Sequence, residues 1–169
     1  MSLVNVTLHG TKGVEKNLRG LGKNINAEIK KAVDAGARNV RDTARDLIRK
    51  KPSKYRKYRI GTTKGGRGRF HYSSAPGDAP NKMTGNLMKF ITVIKASSGN
   101  KPTAYVVSKA EYTLALEFGS RKRNIEPRPF MRPALKRNAE SIKAAVATAI
   151  TLAKMKTAAQ AAKRSRRSA

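Results

Sequence analysis

The apolar positions in the N-terminal third of the chain predict a strand followed by a long helix. Residues 3–8 alternate apolar and polar side chains, which is typical of a half-buried strand. From residue 14 to residue 47 apolar side chains recur at steps of three, four or seven, which predicts an amphipathic helix. An interior glycine costs a helix about 1 kcal/mol relative to alanine. We therefore expect Gly20 and Gly22 to separate a short helix from a longer one over residues 24–49.

The second half of the chain predicts a hairpin and a second long helix. Residues 89–96 and 103–108 have the composition of strands, and the turn between them favours antiparallel pairing. Residues 112–118 are apolar but too few for periodicity to separate a strand from one or two helical turns, and Gly119 ends the segment in either case. Apolar residues return at helical spacing over residues 135–153, where alanine also favours a helix.

These elements predict an α+β fold in which a small antiparallel sheet is packed by a long N-terminal helix and a C-terminal helix. A chain of 169 residues suits one domain. We place that domain at residues 1–155 and treat residues 49–82 as a long basic arm inserted into it. Apolar residues become rare after residue 155 and the chain ends in KRSRRSA, so we expect residues 156–169 to form a flexible basic tail.

The charge of the chain limits the partners that it can have. Lys and Arg number 38 against 10 Asp and Glu, a formal net charge of +28, so isolated copies repel one another and attract a polyanion or an acidic protein face. The absence of cysteine excludes disulfides and thiolate metal sites. The sequence shows no secretory signal and no apolar stretch of the roughly 18 residues that a membrane span needs. We expect a soluble protein, with no membrane partner, that acts inside a cell or inside a particle assembled there.

The inserted arm is the most basic part of the chain. Residues 49–72 contain ten Lys and Arg, no acid, and several interleaved aromatic residues. This composition predicts a mobile arm or a long hairpin loop, because it offers too little apolar surface to be buried. Against nucleic acid the cations would neutralise phosphates, and the aromatic rings would either stack on bases or carry an arginine on their faces. The alternative is a solvated basic loop without a partner. The candidate contacts to nucleic acid or to an acidic partner are Lys50, Lys51, Lys54, Arg56, Lys57, Arg59, Lys64, Arg67 and Arg69.

The sequence contains no set of residues with a recognisable catalytic spacing. His9 and His71 lie in different contexts, and neither has a partner at a characteristic spacing. The stretch GTTKGGRG has the glycines of a phosphate-binding loop but lacks the Gly-Lys-Ser/Thr ending. We expect a protein that is not an enzyme, with no catalytic residue, no metal site and no cofactor.

Three prolines restrict the path of the chain into the C-terminal helix. Pro127, Pro129 and Pro133 have fixed φ angles and push the residues before them towards extended conformations. Phe130 lies between two of them, where its large ring can anchor the connection to a core. Pro133 stands where a helix can start, because a first-turn N–H has no intrahelical partner to lose.

Three short motifs follow one another along the chain: TGNL at 84–87, LEFGS at 116–120 and RPFMRPAL at 128–135. Together with the predicted helices and hairpin, their order resembles the tail-component family of long-tailed bacteriophages, which is associated with the neck and the tail-completion region. The resemblance covers about residues 3–150. The large basic arm and the basic C-terminal tail depart from it. The residues that carry it are Thr84, Gly85, Leu87, Glu117, Phe118, Gly119, Pro129, Phe130 and Pro133.

The resemblance implies a structural virion protein of the neck or tail, assembled in the host cytoplasm. Its expected form is a homo-oligomeric ring that joins head to tail around the DNA channel, in contact with head-closure, tail-terminator or tube proteins and with packaged DNA. In that setting we expect Glu117 to pair with a nearby arginine such as Arg128, and Phe130 to fill the junction between sheet and helix. The alternative is a cellular nucleic-acid-binding protein associated with ribosomes or the nucleoid, because such proteins are also basic and cysteine-free.

Overall fold

The computed structural model describes residues 11–50, 54–62, 64–96 and 101–168. The predicted strand at residues 3–8, His9, Lys51 and most of the predicted turn at residues 97–101 lie outside the described residues. The α+β class predicted from the sequence is confirmed. In chain order the elements are α1 (Thr11–Arg49), β1 (Arg56–Thr62), β2 (Gly68–Ser73), α2 (Asn86–Phe90), β3 (Ile91–Lys95), β4 (Ala104–Ser108), α3 (Thr113–Phe118), a 3-10 turn (Arg121–Arg123) and α4 (Met131–Ser168).

The scaffold is an antiparallel pair formed by α1 and α4. Asn138 Nδ2 of α4 donates to Thr43 Oγ1 of α1 at 2.9 Å. Much earlier in α1, Asn24 Nδ2 donates to Thr157 Oγ1 of α4, also at 2.9 Å. Residue numbers therefore fall along α1 as they rise along α4, so the beginning of α1 lies beside the end of α4. At 1.5 Å per residue each helix is about 57 Å long.

The first helix runs through its interior glycines without a break. The sequence predicted an interruption at Gly20 and Gly22, and this prediction is wrong because α1 is continuous from Thr11 to Arg49. Asn24, two residues beyond Gly22, donates hydrogen bonds to the side chains of Thr157 and Gln160 on α4. Packing of one helix against the other outweighs the intrinsic cost of the glycines.

The C-terminal residues continue α4 where the composition predicted a separate flexible tail. The helix extends to Ser168, so residues 156–168 are helical. Alanine has the highest helix propensity, and this part of the chain is rich in it. Ala153 is fully buried, and Lys156 Nζ lies 2.7 Å from Glu28 Oε1 of α1. Local propensity and contacts with α1 together extend the helix beyond the end of its apolar stripe.

The described strands form two separate two-stranded sheets, β1–β2 and β3–β4, where the sequence predicted one small sheet and an arm. β3 and β4 pair antiparallel from Ile91 opposite Ser108 to Lys95 opposite Ala104. The two residues before β3 were predicted as strand but belong to α2. Gly85 explains the difference, because its φ of 85° turns the chain into that short helix and is a conformation that favours glycine.

The core lies where the end of α1, the entry to α4 and the sheet β3–β4 meet. Phe130 and Ala134 are fully buried there, against Ala44 and Ile48 of α1 and Ile91 of β3. The prediction that Phe130 fills the junction between sheet and helix is confirmed. The short apolar segment whose pattern left strand and helix open forms α3, which leads from β4 towards this junction.

Candidate nucleic-acid interface

The basic arm is a long hairpin, the second of the two forms that its composition allowed. β1 and β2 pair antiparallel, and all seven residues of β1 are exposed. The pairing register shifts between Arg59 and Gly61, which marks a bulge of the kind that increases strand twist. At the base of the hairpin Tyr55 N–H donates to Ser73 O at 3.1 Å, and Asn81 Nδ2 donates to Tyr72 O at 2.7 Å. The hairpin therefore leaves the core as an ordered, solvated ribbon.

The two faces of the hairpin differ in what they contact. Tyr58 and His71 lie opposite each other, with ring centroids 5.4 Å apart in an edge-on arrangement, and they line a cleft of about 450 Å³ against the core. Side chains alternate between the faces of a strand. Lys57, Arg59 and Phe70 consequently lie on the opposite face, which is directed away from that cleft.

Three of the aromatic rings at the hairpin carry cations on their faces. Lys57 Nζ lies 4.2 Å from the ring centroid of Phe70. Arg56 Cζ lies 5.4 Å from that of Tyr55, and Lys54 Nζ lies 5.7 Å from that of Tyr72. The predicted arginine over a ring is present in one pair, Arg56 over Tyr55, and the other two cations are lysines. Cations that are held over rings lose less conformational freedom when they contact a phosphate, so this arrangement suits binding to a nucleic-acid backbone.

The structure brings seven of the nine candidate contact residues together on the hairpin. Five are in or beside its strands and two, Lys64 and Arg67, are in the turn between them. Lys50 stands apart at the end of α1, where its N–H donates to Asp46 O at 3.0 Å, and Lys51 lies outside the described residues. The segment that forms the hairpin contains no acid. The seven are Lys54, Arg56, Lys57, Arg59, Lys64, Arg67 and Arg69.

The motif residues build a structural junction in which Glu117 caps α4. Glu117 is only 4% exposed, and its carboxylate accepts the N–H groups of Phe130 at 2.8 Å, Arg132 at 2.9 Å and Met131 at 3.0 Å. The first N–H groups of a helix have no intrahelical acceptor and carry a partial positive charge. A carboxylate placed there accepts their hydrogen bonds and balances that charge. The cap comes from the end of α3, about thirteen residues earlier in the chain.

The expected pairing of Glu117 with a nearby arginine is confirmed, but Arg128 as its example is wrong. Glu117 Oε1 accepts instead from Arg132 Nε at 3.3 Å. Arg128 Nε donates to Ser74 O at 3.2 Å, and its N–H donates to Leu116 O. Arg128 lies in the connection before α4 and its side chain reaches Ser74, the residue after β2, whereas Arg132 is in the first turn of α4 beside the carboxylate. Arg128 thus connects the junction to the base of the hairpin.

The pKa of Glu117 reflects two opposing influences. Burial raises the pKa of this carboxyl, but the N–H groups of Phe130, Arg132 and Met131 and the guanidinium of Arg132 together lower it more strongly. The pKa therefore lies below the ordinary value of 4.5. Glu117 stays ionised in its buried position, which the capping of α4 requires.

The remaining motif residues shape the backbone around this cap. Gly119 has a φ of 80°, and a Cβ added there would lie 3.0 Å from Ile125 O, so only glycine fits. Pro133 lies in the first turn of α4, where its missing N–H has no consequence. Phe118 is 61% exposed, and the Arg132 guanidinium lies 4.7 Å from its ring centroid. Pro129 precedes Phe130 and borders a surface cleft beside α1.

The TGNL motif and the hairpin meet at the cleft that Tyr58 and His71 line. Thr84, Gly85 and Leu87 form part of its wall, and Leu87 is also buried in the core. Thr84 Oγ1 accepts the N–H of Asn86 at 3.3 Å, which fixes the turn before α2. The motifs therefore determine how the hairpin is held, while the candidate contacts to nucleic acid lie on the hairpin itself.

Sequence reasoning missed two arrangements of charge. Arg132 was not identified as the partner of Glu117, although both stand in the motifs, because the direction of a side chain after a proline-rich connection has no local signal. The basic start of α1 was also not associated with the basic end of α4, which lies beside it. Only the antiparallel pairing of two helices that are far apart in sequence reveals this second cluster.

Among the described residues no three His, Cys, Asp or Glu side chains are grouped as metal ligands. Neither α1 nor α4, nor any shorter helix that the structure describes, combines the length and the apolar character needed to cross a bilayer.

Comparisons with known proteins found no relative of this chain. No family model, no curated protein and no solved structure matches the chain. The resemblance to phage tail components therefore remains a prediction that rests on the three motifs and their order.

Proposed function

We propose that this protein is a structural, non-enzymatic subunit of the neck or tail-completion region of a long-tailed phage. In this role it forms a homo-oligomeric ring that joins head to tail around the DNA channel. The observation that carries the proposal is the solvated hairpin, which presents seven cations, has no acid in its own segment and is attached to a long helical scaffold. Such a ribbon is suited to phosphate contacts that do not depend on base sequence.

Exposed apolar residues near the Glu117 junction support assembly into an oligomer. Leu114 is 71% exposed, Leu135 56% and Tyr105 55%. Tyr105 and Leu135 line the same mainly apolar cleft, while Leu114 and Phe118 stand four residues apart on α3. Exposed apolar surface of this kind commonly binds protein. Neighbouring copies and the adjoining head-closure, tail-terminator or tube proteins are the partners that fit the proposal.

The net charge of +28 opposes assembly of isolated copies. A duplex along the axis of a ring supplies the missing negative charge, and several weak contacts then act together. We therefore expect duplex DNA to favour the ring over the single chain, and we expect the effect to weaken steeply with salt.

The test is the mass distribution of the purified full chain, measured by mass photometry with and without a 30-bp duplex, followed by electron microscopy. The proposal expects a closed ring of one defined copy number and equal affinities for duplexes of unrelated sequence. A chain that stays monomeric with DNA and instead co-sediments with ribosomes or structured RNA would overturn it in favour of a cellular nucleic-acid-binding protein. Genes for portal, head-closure and tail-tube proteins next to its own would independently support the phage assignment.

A further inference from the structure

A second basic cluster lies at the end of the helical scaffold that is remote from the hairpin. We call it the stalk tip and define it by the exposed cations at the start of α1 and the end of α4. Contacts from Asn24 to Thr157 and Gln160 set the register of the two helices there. This register places the two sets of cations side by side, although about 140 residues separate them in the chain. The stalk-tip cations are Lys16, Arg19, Lys23, Lys163, Arg164 and Arg166.

The stalk tip has a large excess of positive charge. Among the residues that the structure describes at these two helix ends, the six cations are accompanied by one acid, Glu15, which pairs with Arg19. The first turn of α1 also contains no acid to offset the positive end of its helix dipole. A groove of about 540 Å³ runs between the two helix ends. Like charges in this density are unfavourable unless an anion lies close to them.

The chemistry of the groove favours phosphate over a protein partner. Its lining consists of Glu15, Lys16, Arg19, Gly20, Lys23, Asn24, Gln160 and Arg164, with no large apolar side chain among them. The centre of a protein interface is usually poor in charged residues and rich in aromatic ones. A groove lined by lysine, arginine and side-chain amides instead matches the groups that position a nucleic-acid backbone.

We infer that the stalk tip is a second contact site for duplex DNA, which binds the phosphate backbone of the same duplex as the hairpin. The inference rests on the DNA contact of the proposed function. From Arg19 to Arg49, where the chain leaves α1 towards the hairpin, a helical rise of 1.5 Å per residue gives about 45 Å. At 3.4 Å per base pair this corresponds to about 13 bp. One chain then engages more than a full turn of duplex.

The test compares two variants that lose the same charge. The tip variant carries Lys16→Gln, Lys23→Gln, Lys163→Gln and Arg166→Gln, and the control variant carries Lys30→Gln, Arg38→Gln, Lys136→Gln and Lys154→Gln. All eight positions are exposed on α1 or α4, and glutamine keeps helix propensity nearly constant. Affinity is measured by fluorescence anisotropy at several salt concentrations with duplexes of 10 and 30 bp, after circular dichroism has shown unchanged helicity.

We expect the loss of DNA affinity in the tip variant to depend on the length of the duplex. On 30 bp the tip variant should bind at least about tenfold more weakly than the wild type, with a salt slope reduced by about 0.9 for each lost contact. On 10 bp, a duplex of about 34 Å that cannot reach both sites, its loss should be less than about threefold. The control variant should lose less than about threefold on both. Equal losses in the tip and control variants would overturn the inference, because they would show a general effect of net charge.

A measurement on the unaltered chain supplies an independent check. Lysine acetylation followed by mass spectrometry should show that the 30-bp duplex slows modification of Lys16, Lys23 and Lys163 at least about threefold. Lys30 and Lys154 should be modified at the same rate with and without DNA. Equal protection of both groups contradicts the inference.

A third variant separates failure of this inference from failure of the proposed function. It replaces Lys57, Arg59, Lys64 and Arg69 of the hairpin with Gln. If this variant loses affinity on both duplexes while the tip variant behaves like the control, the stalk-tip site is refuted and the DNA contact of the hairpin stands. If neither variant binds more weakly than the control, both are refuted.

Discussion

The basic hairpin and the junction at Glu117 use charge in opposite ways. The cations of the hairpin are numerous, exposed and without an acid in their own segment, so they stay hydrated and contribute little to the stability of the fold. Glu117 is one charge, but it is buried and satisfies three N–H groups at the start of α4. Stability depends on where a charge lies and what it bonds, whereas the capacity to bind a polyanion depends on how many charges remain exposed.

The largest effect should come from the apolar centre of the junction. Phe130→Ala removes a fully buried ring, and we expect it to lower the free energy of unfolding by about 4 kcal/mol. Urea denaturation followed by circular dichroism measures this change. Phe118→Ala, which truncates a ring that is 61% exposed, is the control and should cost less than about 1 kcal/mol. If Phe130→Ala kept the thermal stability of the wild type and still assembled into the oligomeric ring, the role of Phe130 as the anchor of the junction would be refuted.

Removal of the carboxylate at Glu117 should have the next largest effect. Glu117→Ala leaves three N–H groups without their acceptor, so we expect a loss of about 3 kcal/mol. The matched control is Glu126→Ala, because Glu126 is exposed and lies 4.0 Å from its partner Arg128. This control should change the free energy of unfolding by less than about 0.5 kcal/mol. Equal effects of the two substitutions would show that capping by Glu117 contributes nothing to stability.

The same carboxylate should make stability depend on pH. Since the pKa of Glu117 is lower in the folded chain than its ordinary value of 4.5, its contribution is present above pH 4.5. It is lost as the pH falls through the lower folded pKa. The free energy of unfolding of the wild type should therefore approach that of Glu117→Gln as the pH falls below 4.5. A constant difference between the two proteins from pH 6 to the acid limit of folding would contradict this assignment.

The smallest effect on stability, and a large one on binding, should come from the hairpin. Replacement of Lys54, Arg56, Lys57 and Arg59 by Ser should change the free energy of unfolding by less than about 1 kcal/mol, because all four positions are exposed. Binding to duplex DNA should weaken, and the salt slope should fall by about 0.9 for each lost phosphate contact. Loss of the fold in this variant would show instead that the hairpin is part of the core structure.

Local pattern predicted the types of most elements, but not their extents. The helical stripe that ends near Leu47 predicted α1. The β-branched residues around Val93 and Val106 predicted β3 and β4. The pattern failed at Gly20 and Gly22, where contacts with α4 outweigh the intrinsic propensity of glycine. It also failed after residue 155, because a helix of small residues does not need an apolar stripe to continue.

The candidate interface was predictable in composition and not in geometry. The excess of cations over residues 49–72 was evident from the sequence, and so was the choice of aromatic neighbours. Two of the three pairs, Lys57 over Phe70 and Lys54 over Tyr72, join the two arms of the hairpin and so depend on how its strands are paired. The third pair, Arg56 over Tyr55, joins neighbours in the chain. Periodicity describes one element at a time and contains no information on the register between two strands.

By itself the sequence determined the amphipathic character of α1, the proline-directed entry into α4, the solvated character of the arm and the positive charge of the whole chain. These properties follow from residues that are neighbours along the chain. The tertiary structure alone decided that Glu117 caps α4 in place of pairing with Arg128, and that the basic start of α1 lies beside the basic end of α4. Both arrangements join distant residues, and they depend on the direction in which packed helices present their side chains.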